Sequence, residues 1–264
     1  MHRILFSVGN FPIYSYGVCV ALGVFLGYML VLHRNKTLKV GKNEDISDFF
    51  LYMLLWGLLG ARILYIILNF HEYSSNLISM LNFRAGGLSL YGALVVGICV
   101  FVYFSKKRNI DSFKLMDLFA PAILLGIAVG RIGCLMNGCC IGIPASAPWG
   151  MLFPDADLTT LRYPTPLYET LLDLIAMGIV FYIEKRKKFD GELMLAGLGL
   201  YGVVRFMTEI FRDSGPRFYG ISLAQYFSVI VVIVFAVWIF KARTKGNINI
   251  FKTEKPNHVR KSKK

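Results

Sequence analysis

Three arginines, Arg62, Arg131 and Arg205, stand inside stretches of chain that are otherwise apolar enough to cross a membrane. An arginine near the centre of such a helix costs about 2.5 to 3.5 kcal/mol on insertion scales, so each needs a polar cavity or an anionic partner. Arg205 and Glu209 are i, i+4 neighbours and point from one face of one helix. Guanidinium groups match the oxygens of a phosphate in a fork and stabilise charge on a departing phosphate. The arginines outnumber the nearby acids, which favours a bound anion over the plainer alternative, an ion pair that only locks helices together. The stretch "GRIGCLMNGCCIG" (Gly130–Gly142) adds Cys134, Cys139 and Cys140 beside Arg131. These are open to three readings: small packing residues, a structural disulfide, or redox or metal work. A C-x-x-C pair is missing, and His2, His33, His71 and His258 all fall in loops or termini, which leaves zinc short of four ligands. No metal and no cofactor is expected.

The elements that position these groups are membrane spans. Of the 264 residues 56% are hydrophobic and 17% charged, with a mean hydropathy of +0.56, far more apolar than a soluble domain of this size. Apolar runs near the roughly 20 residues that cross a bilayer extend over Ile13–Leu32, Ile46–Phe70, Gly86–Phe104, Leu115–Cys134, Pro166–Ile183, Leu193–Phe211 and Ile221–Phe240. The expected fold is an all-α integral membrane protein of seven transmembrane helices. The first run lacks a basic leader and a small-residue cleavage site, so it is expected to be a span rather than a signal peptide.

Most of the 29 lysines and arginines fall after spans one, three and five and in the tail. By the positive-inside rule that side is cytoplasmic, the N-terminus lies outside and the C-terminus inside. The same placement explains the +13 net charge through topology and anionic lipid, so nucleic-acid binding is not expected. Residues 1–245 would form one membrane domain with a small extracytoplasmic head at about 140–165. Residues 246–264 would form a basic cytoplasmic tail. With about 1.5 Å of rise per residue, Arg62, Arg131, Arg205 and Glu209 reach one level in the outer half of the bilayer. Tyr16 and Tyr91 begin a turn or so below the outer surface. Glycines at Gly86, Gly87, 126–130 and 197–202 gather at the same places, as in close helix packing.

In this order and topology the motifs resemble the phosphatidylglycerol:prolipoprotein diacylglyceryl transferase family of bacterial plasma membranes. They are "YSYG" (Tyr14–Gly17), "GAR" (Gly60–Arg62), "GGLSLYG" (Gly86–Gly92), "GRIGCLMNGCCIG", "RYPTPLYE" (Arg162–Glu169), "YGVVRFMTEIFR" (Tyr201–Arg212) and "ISLAQYFS". The resemblance implies a multi-pass enzyme of the inner membrane with its active site facing the outer leaflet. It would move diacylglyceryl from phosphatidylglycerol, a membrane lipid, to the lipobox cysteine thiol of a prolipoprotein, forming a thioether and releasing glycerol phosphate. It implies Tyr91, Arg131, Arg205 and Glu209 as catalytic residues. Tyr16, Arg62, Gly86, Gly87, Asn137, Gly142 and Tyr201, together with Arg131 and Arg205, would bind substrate. The chain departs from the family pattern at Tyr91, where histidine is usual, and at Cys134 and Cys139, where asparagine and glutamate are usual. Those departures keep two other functions in play: a non-catalytic phospholipid-binding or transport relative, and a membrane thiol-disulfide oxidoreductase.

Overall fold

The computed structural model describes residues 3–9, 11–73, 79–80, 86–153, 157–213 and 217–244. The basic tail expected at 246–264 lies outside them. The elements are β1 (Ile4–Val8), β2 (Phe11–Tyr14), α1 (Ser15–Leu38), α2 (Asn43–Leu68), α3 (Phe70–Tyr73), α4 (Leu90–Lys107), α5 (Ser112–Asn137), β3 (Met151–Phe153), β4 (Asp157–Arg162), α6 (Thr165–Glu184), α7 (Glu192–Phe211), β5 (Arg217–Phe218), β6 (Ile221–Ser222) and α8 (Leu223–Thr244). Seven of these helices are long and apolar enough to cross a membrane, and they correspond one to one with the seven expected spans.

Helix boundaries differ from the hydropathy runs for local reasons. Ile13 belongs to an antiparallel hairpin, β1 with β2, that runs directly into α1. Gly86 (φ +83°) and Gly87 (φ +77°) adopt the left-handed backbone that glycine tolerates, so α4 starts only at Leu90. Asp111 caps α5 by accepting from the N–H groups of Phe113 and Lys114 at 2.9 and 3.2 Å. Gly138 (φ +69°) ends the same helix in the left-handed conformation. His33, expected in a loop, lies in the last turns of α1.

Helix α5 is the central element, packed against α1, α6 and α7, while α2 pairs with α4 and α7 with α8. Two apolar cores result. One joins Val31, Ile46, Phe49, Phe104, Leu115 and Leu118; the other joins Ala120, Leu124, Ala176, Val180, Leu193 and Val204. Large apolar side chains such as Phe25, Leu55, Ile98 and Phe227 point outward, as lipid-facing surfaces require.

Polar contacts close both ends of the bundle. At the end away from the hairpins, the buried Asp117 carboxylate accepts from the N–H groups of Gly191, Leu193 and Met194 at 2.8 to 3.1 Å, across the start of α7. It also pairs with Lys187 at 2.8 Å, and those contacts raise the lysine pKa against the opposing effect of burial. Arg34 reaches Glu184 at 2.8 Å beside it. At the hairpin end, β3 and β4 form the antiparallel core of the expected head, and Gly142 and Pro144 bridge to Arg212 and Arg162.

The α2–α4 crossing is as close as backbones allow. A methyl group built on Gly92 would overlap the Gly60 carbonyl and stand 2.7 Å from Leu64 Cβ. Gly92→Val is therefore expected to destabilise the protein by about 1 to 3 kcal/mol, read as a lower melting temperature in detergent. An unchanged melting curve would mean that this contact does not hold the two helices together.

Candidate functional site

The arginine cluster is assembled by three helices. Arg131 from the last turns of α5 and Arg205 from α7 both meet Glu169, in the second turn of α6. Arg131 Nε pairs with Glu169 Oε2 at 2.7 Å, and an Arg205 terminal nitrogen pairs with Glu169 Oε1 at 2.8 Å. The other terminal nitrogen of Arg205 pairs with Glu209 Oε2 at 2.9 Å, as the i, i+4 spacing anticipates. The single Thr208 hydroxyl proton is shared between the Val204 carbonyl at 3.0 Å and Glu169 Oε1 at 3.2 Å, on a second side of the carboxylate.

This arrangement corrects the charge balance expected from sequence. Two arginines face two glutamates, so the formal charges cancel without a bound anion. The donors do not. A guanidinium carries five N–H groups; Arg131 commits Nε to Glu169, and among the described residues no partner is recorded for its two terminal nitrogens. Its side chain is 17% exposed, whereas Glu169 is 3% exposed. The guanidinium is thus held through Nε by a buried carboxylate, in a side chain that keeps some exposure.

Of the other residues marked in the sequence, some join this cluster. The Tyr16 phenol lies within electrostatic range of Arg131 and of all three cysteines, and its ring edge would lie 3.3 Å from a methyl on Gly133. Tyr201 lies within the same range of Arg131. Asn137 is the final residue of α5, directly before the Gly138 reversal. Gly142 donates its N–H to the Tyr163 carbonyl at 2.9 Å, and any side chain there would run into the Phe211 carbonyl. It ties the head to the end of α7.

Arg62 does different work. Its Nε and terminal nitrogens donate to the carbonyls of Met80, Gly86, Gly87 and Ser79 at 3.0, 2.6, 3.0 and 3.2 Å. A methyl on Gly87 would sit 2.8 Å from that guanidinium. Gly86, Gly87 and Arg62 therefore form one turn on the α2–α4 side. Tyr91 follows it on the first turn of α4 and is 72% exposed, with no hydrogen bond or ion pair recorded to the arginines.

The cysteines converge because α5 ends at Gly138. The reversal brings the Cys139 N–H to the Cys134 carbonyl at 3.1 Å, and Thr165 holds the Cys140 carbonyl at 2.5 Å. The three sulfur atoms lie within 4.8 Å of one another, and all three cysteines are free thiols. The Cys140 thiol, beyond the helix, is held below its ordinary pKa first by the neighbouring Cys134 thiol and further by Arg212 and Arg131, against the opposing effect of burial.

Sequence reasoning missed Glu169 and Asp173. Asp173 lies one turn along α6, fully buried, with neither oxygen hydrogen-bonded among the described residues. The signal was present, since both are acids inside an apolar span, the criterion that singled out the arginines.

Replacing Glu169 by Gln removes the buried carboxylate that two half-buried guanidinium groups share, a loss on the order of 3 kcal/mol. The variant is expected to melt lower than the parent and to be stabilised more than the parent by inorganic phosphate at constant ionic strength. Equal melting temperatures, or equal phosphate shifts, would show that Glu169 does not organise the arginines.

The family model described as prolipoprotein diacylglyceryl transferase matches residues 3–241. A protein of Finegoldia magna is 33% identical over 234 residues, covering 88% of this chain and 92% of that one. A protein of Clostridium botulinum strain Langeland is 33% identical over 261 residues, covering 97% and 99%. One of Clostridioides difficile strain 630 is 30% identical over 251 residues, covering 94% and 99%. All three are named phosphatidylglycerol–prolipoprotein diacylglyceryl transferase. With its seven apolar helices and near-complete coverage by the family model, the chain is a multi-pass membrane protein and belongs to the prolipoprotein diacylglyceryl transferase family.

Proposed function

We propose that this protein transfers the diacylglyceryl group of phosphatidylglycerol to the lipobox cysteine thiol of a prolipoprotein. The observation that carries the reading is the partly exposed Arg131 guanidinium, braced through Nε by Glu169 beside Arg205. In this reaction the substrate thiolate attacks the glyceryl carbon that bears the phosphate. The carbon–oxygen bond breaks, its electron pair leaves with glycerol phosphate, and a thioether remains. Negative charge grows on the phosphate oxygens, where Arg131 donors gain most in a site shielded from water. Arg205 and Glu209 hold the guanidinium's position, with Tyr16, Tyr201, Asn137 and Gly142 around the headgroup. The Arg62 turn with Gly86 and Gly87 shapes the lipid side. An apolar slot of about 230 Å³ between α1, α2 and α5, lined by Val20, Val24, Phe119 and Ile123, lies deeper and suits an acyl chain.

The lysine-rich links after α1, α4 and α6 share the opposite end of the bundle, which supports a cytoplasmic placement of that end. The site then faces the outer leaflet of the bacterial inner membrane, where secreted prolipoproteins arrive. Tyr91 stands where the family pattern has histidine; its exposed position on the first turn of α4 favours a role at the lipid surface. The balanced charge of the cluster favours one second reading, a lipid-binding relative in which these ion pairs only lock helices.

Transfer of labelled diacylglyceryl from phosphatidylglycerol vesicles to a lipobox peptide separates the two. The parent is expected to label the peptide thiol, and Arg205→Ala to lower the rate by about a hundredfold or more while still binding lipid. A folded, lipid-binding parent that transfers no label would leave the lock reading in place.

A further inference from the structure

We propose that Cys134, Cys139 and Cys140 form a three-thiolate zinc site whose fourth ligand is the thiolate of the substrate cysteine. This rests on the transferase reading above and supplies what that reading lacks, a means of removing the thiol proton. Zinc–thiolate bonds are about 2.3 Å long, which places the sulfurs of a tetrahedral site about 3.8 Å apart. The three sulfurs already lie within 4.8 Å of one another, so about 1 Å of closure completes the triangle.

The triangle is built by backbone, not by chance contact of long side chains. Gly138 reverses the chain at the end of α5, and Cys139 hydrogen-bonds back to the Cys134 carbonyl through both its N–H, at 3.1 Å, and its sulfur, at 3.5 Å. Cys140 (φ +61°) is pinned through its carbonyl by the buried Thr165 of α6. Cys134 is buried beneath the other two, which are half-exposed, so an ion enters from the aqueous side.

Sulfur donors select thiophilic ions, and charge selects among them. Three thiolates with a divalent ion leave one net negative charge, in a place where Arg212 and Arg131 are both within electrostatic range of Cys140. A monovalent copper ion would leave two. Among the described residues no fourth histidine, cysteine or carboxylate joins the cluster, which is the pattern of a zinc ion that keeps one position for a substrate. The shortage of protein ligands that spoke against zinc in the sequence is then the feature that admits the substrate.

A thiol that coordinates zinc is deprotonated outright. Its S–H bond breaks, the proton passes to water, and the sulfur binds zinc. The bound sulfur then attacks the glyceryl carbon as glycerol phosphate departs with the carbon–oxygen electron pair. The thioether product has no charge to offer zinc and leaves. No atom changes oxidation state, and no base on α4 is needed.

Elemental analysis of protein purified without chelators is expected to give one zinc per chain. Cys139→Ser and Cys140→Ser, each still monodisperse with parental melting behaviour, are expected to lower zinc affinity by about tenfold or more. Cobalt-exchanged protein is expected to show a sulfur-to-metal charge-transfer band that grows on adding lipobox peptide and not its Cys→Ser counterpart. Stripping zinc should abolish transfer and restoring it should recover transfer. Copper in place of zinc, no bound metal, or the mass loss of a disulfide among the three cysteines would overturn the proposal. A cobalt band indifferent to the peptide would also overturn it. Full transfer by the stripped protein would overturn it and leave the transferase reading intact, whereas metal and peptide binding without any transfer would count against that reading alone.

Discussion

A nearly fully buried carboxylate shared by two guanidinium groups is the constraint around which the hairpin end is organised. In a low-dielectric setting neither arginine can stand alone, and Glu169 can satisfy both only if α5, α6 and α7 meet at one level. Gly197 of α7 serves that meeting, since a methyl there would lie 3.8 to 3.9 Å from Leu124 and Ala120 of α5 and Val180 of α6. Thr208 and Glu209, on the turn after Arg205, then complete the polar patch from the same helix. The result is an anchored pair of cations, one of which still presents donors.

The opposite end uses the same device in a different form. Asp117 of α5 sits at the N-terminus of α7, where backbone N–H groups are unpaired, and draws Lys187 to itself. Between the two ends the contacts among the described residues are mostly apolar, with the buried Asp173 and Thr170 of α6 as polar exceptions, so α5 and α7 are tied at both ends and α6 runs between them.

How far the sequence reaches is clear from individual residues. The spans were legible because length and hydropathy are properties of one segment, and Arg131 and Arg205 because charge inside such a segment is rare. Which acid meets which arginine was not, because Glu169 is separated in sequence from both and its choice depends on how α6 is rotated against its neighbours. The balance of charge was misjudged for the same reason. The β1–β2 hairpin was hidden because Phe11–Tyr14 continues the apolar run of α1 without a break. The three cysteines stood out in the sequence as a run without a fixed role; the Gly138 reversal brings their sulfurs, five and six positions from Cys134, into one triangle.

Helix α2 has 26 residues and α4 only 18, about 39 and 27 Å of helix. The extended Ser89 hydrogen-bonds to the Ala61 carbonyl at 2.9 Å, so the helical wall of α4 begins beside Ala61, about 10 Å below the end of α2. Arg62 holds the non-helical turn that precedes it. The hydrocarbon of a bilayer is about 30 Å thick, and lipids along α4 must shorten or tilt their chains to match its shorter wall. Hydrophobic mismatch on that flank thins the adjoining bilayer, so lipids beside α4 meet a lower polar rim than those beside α2.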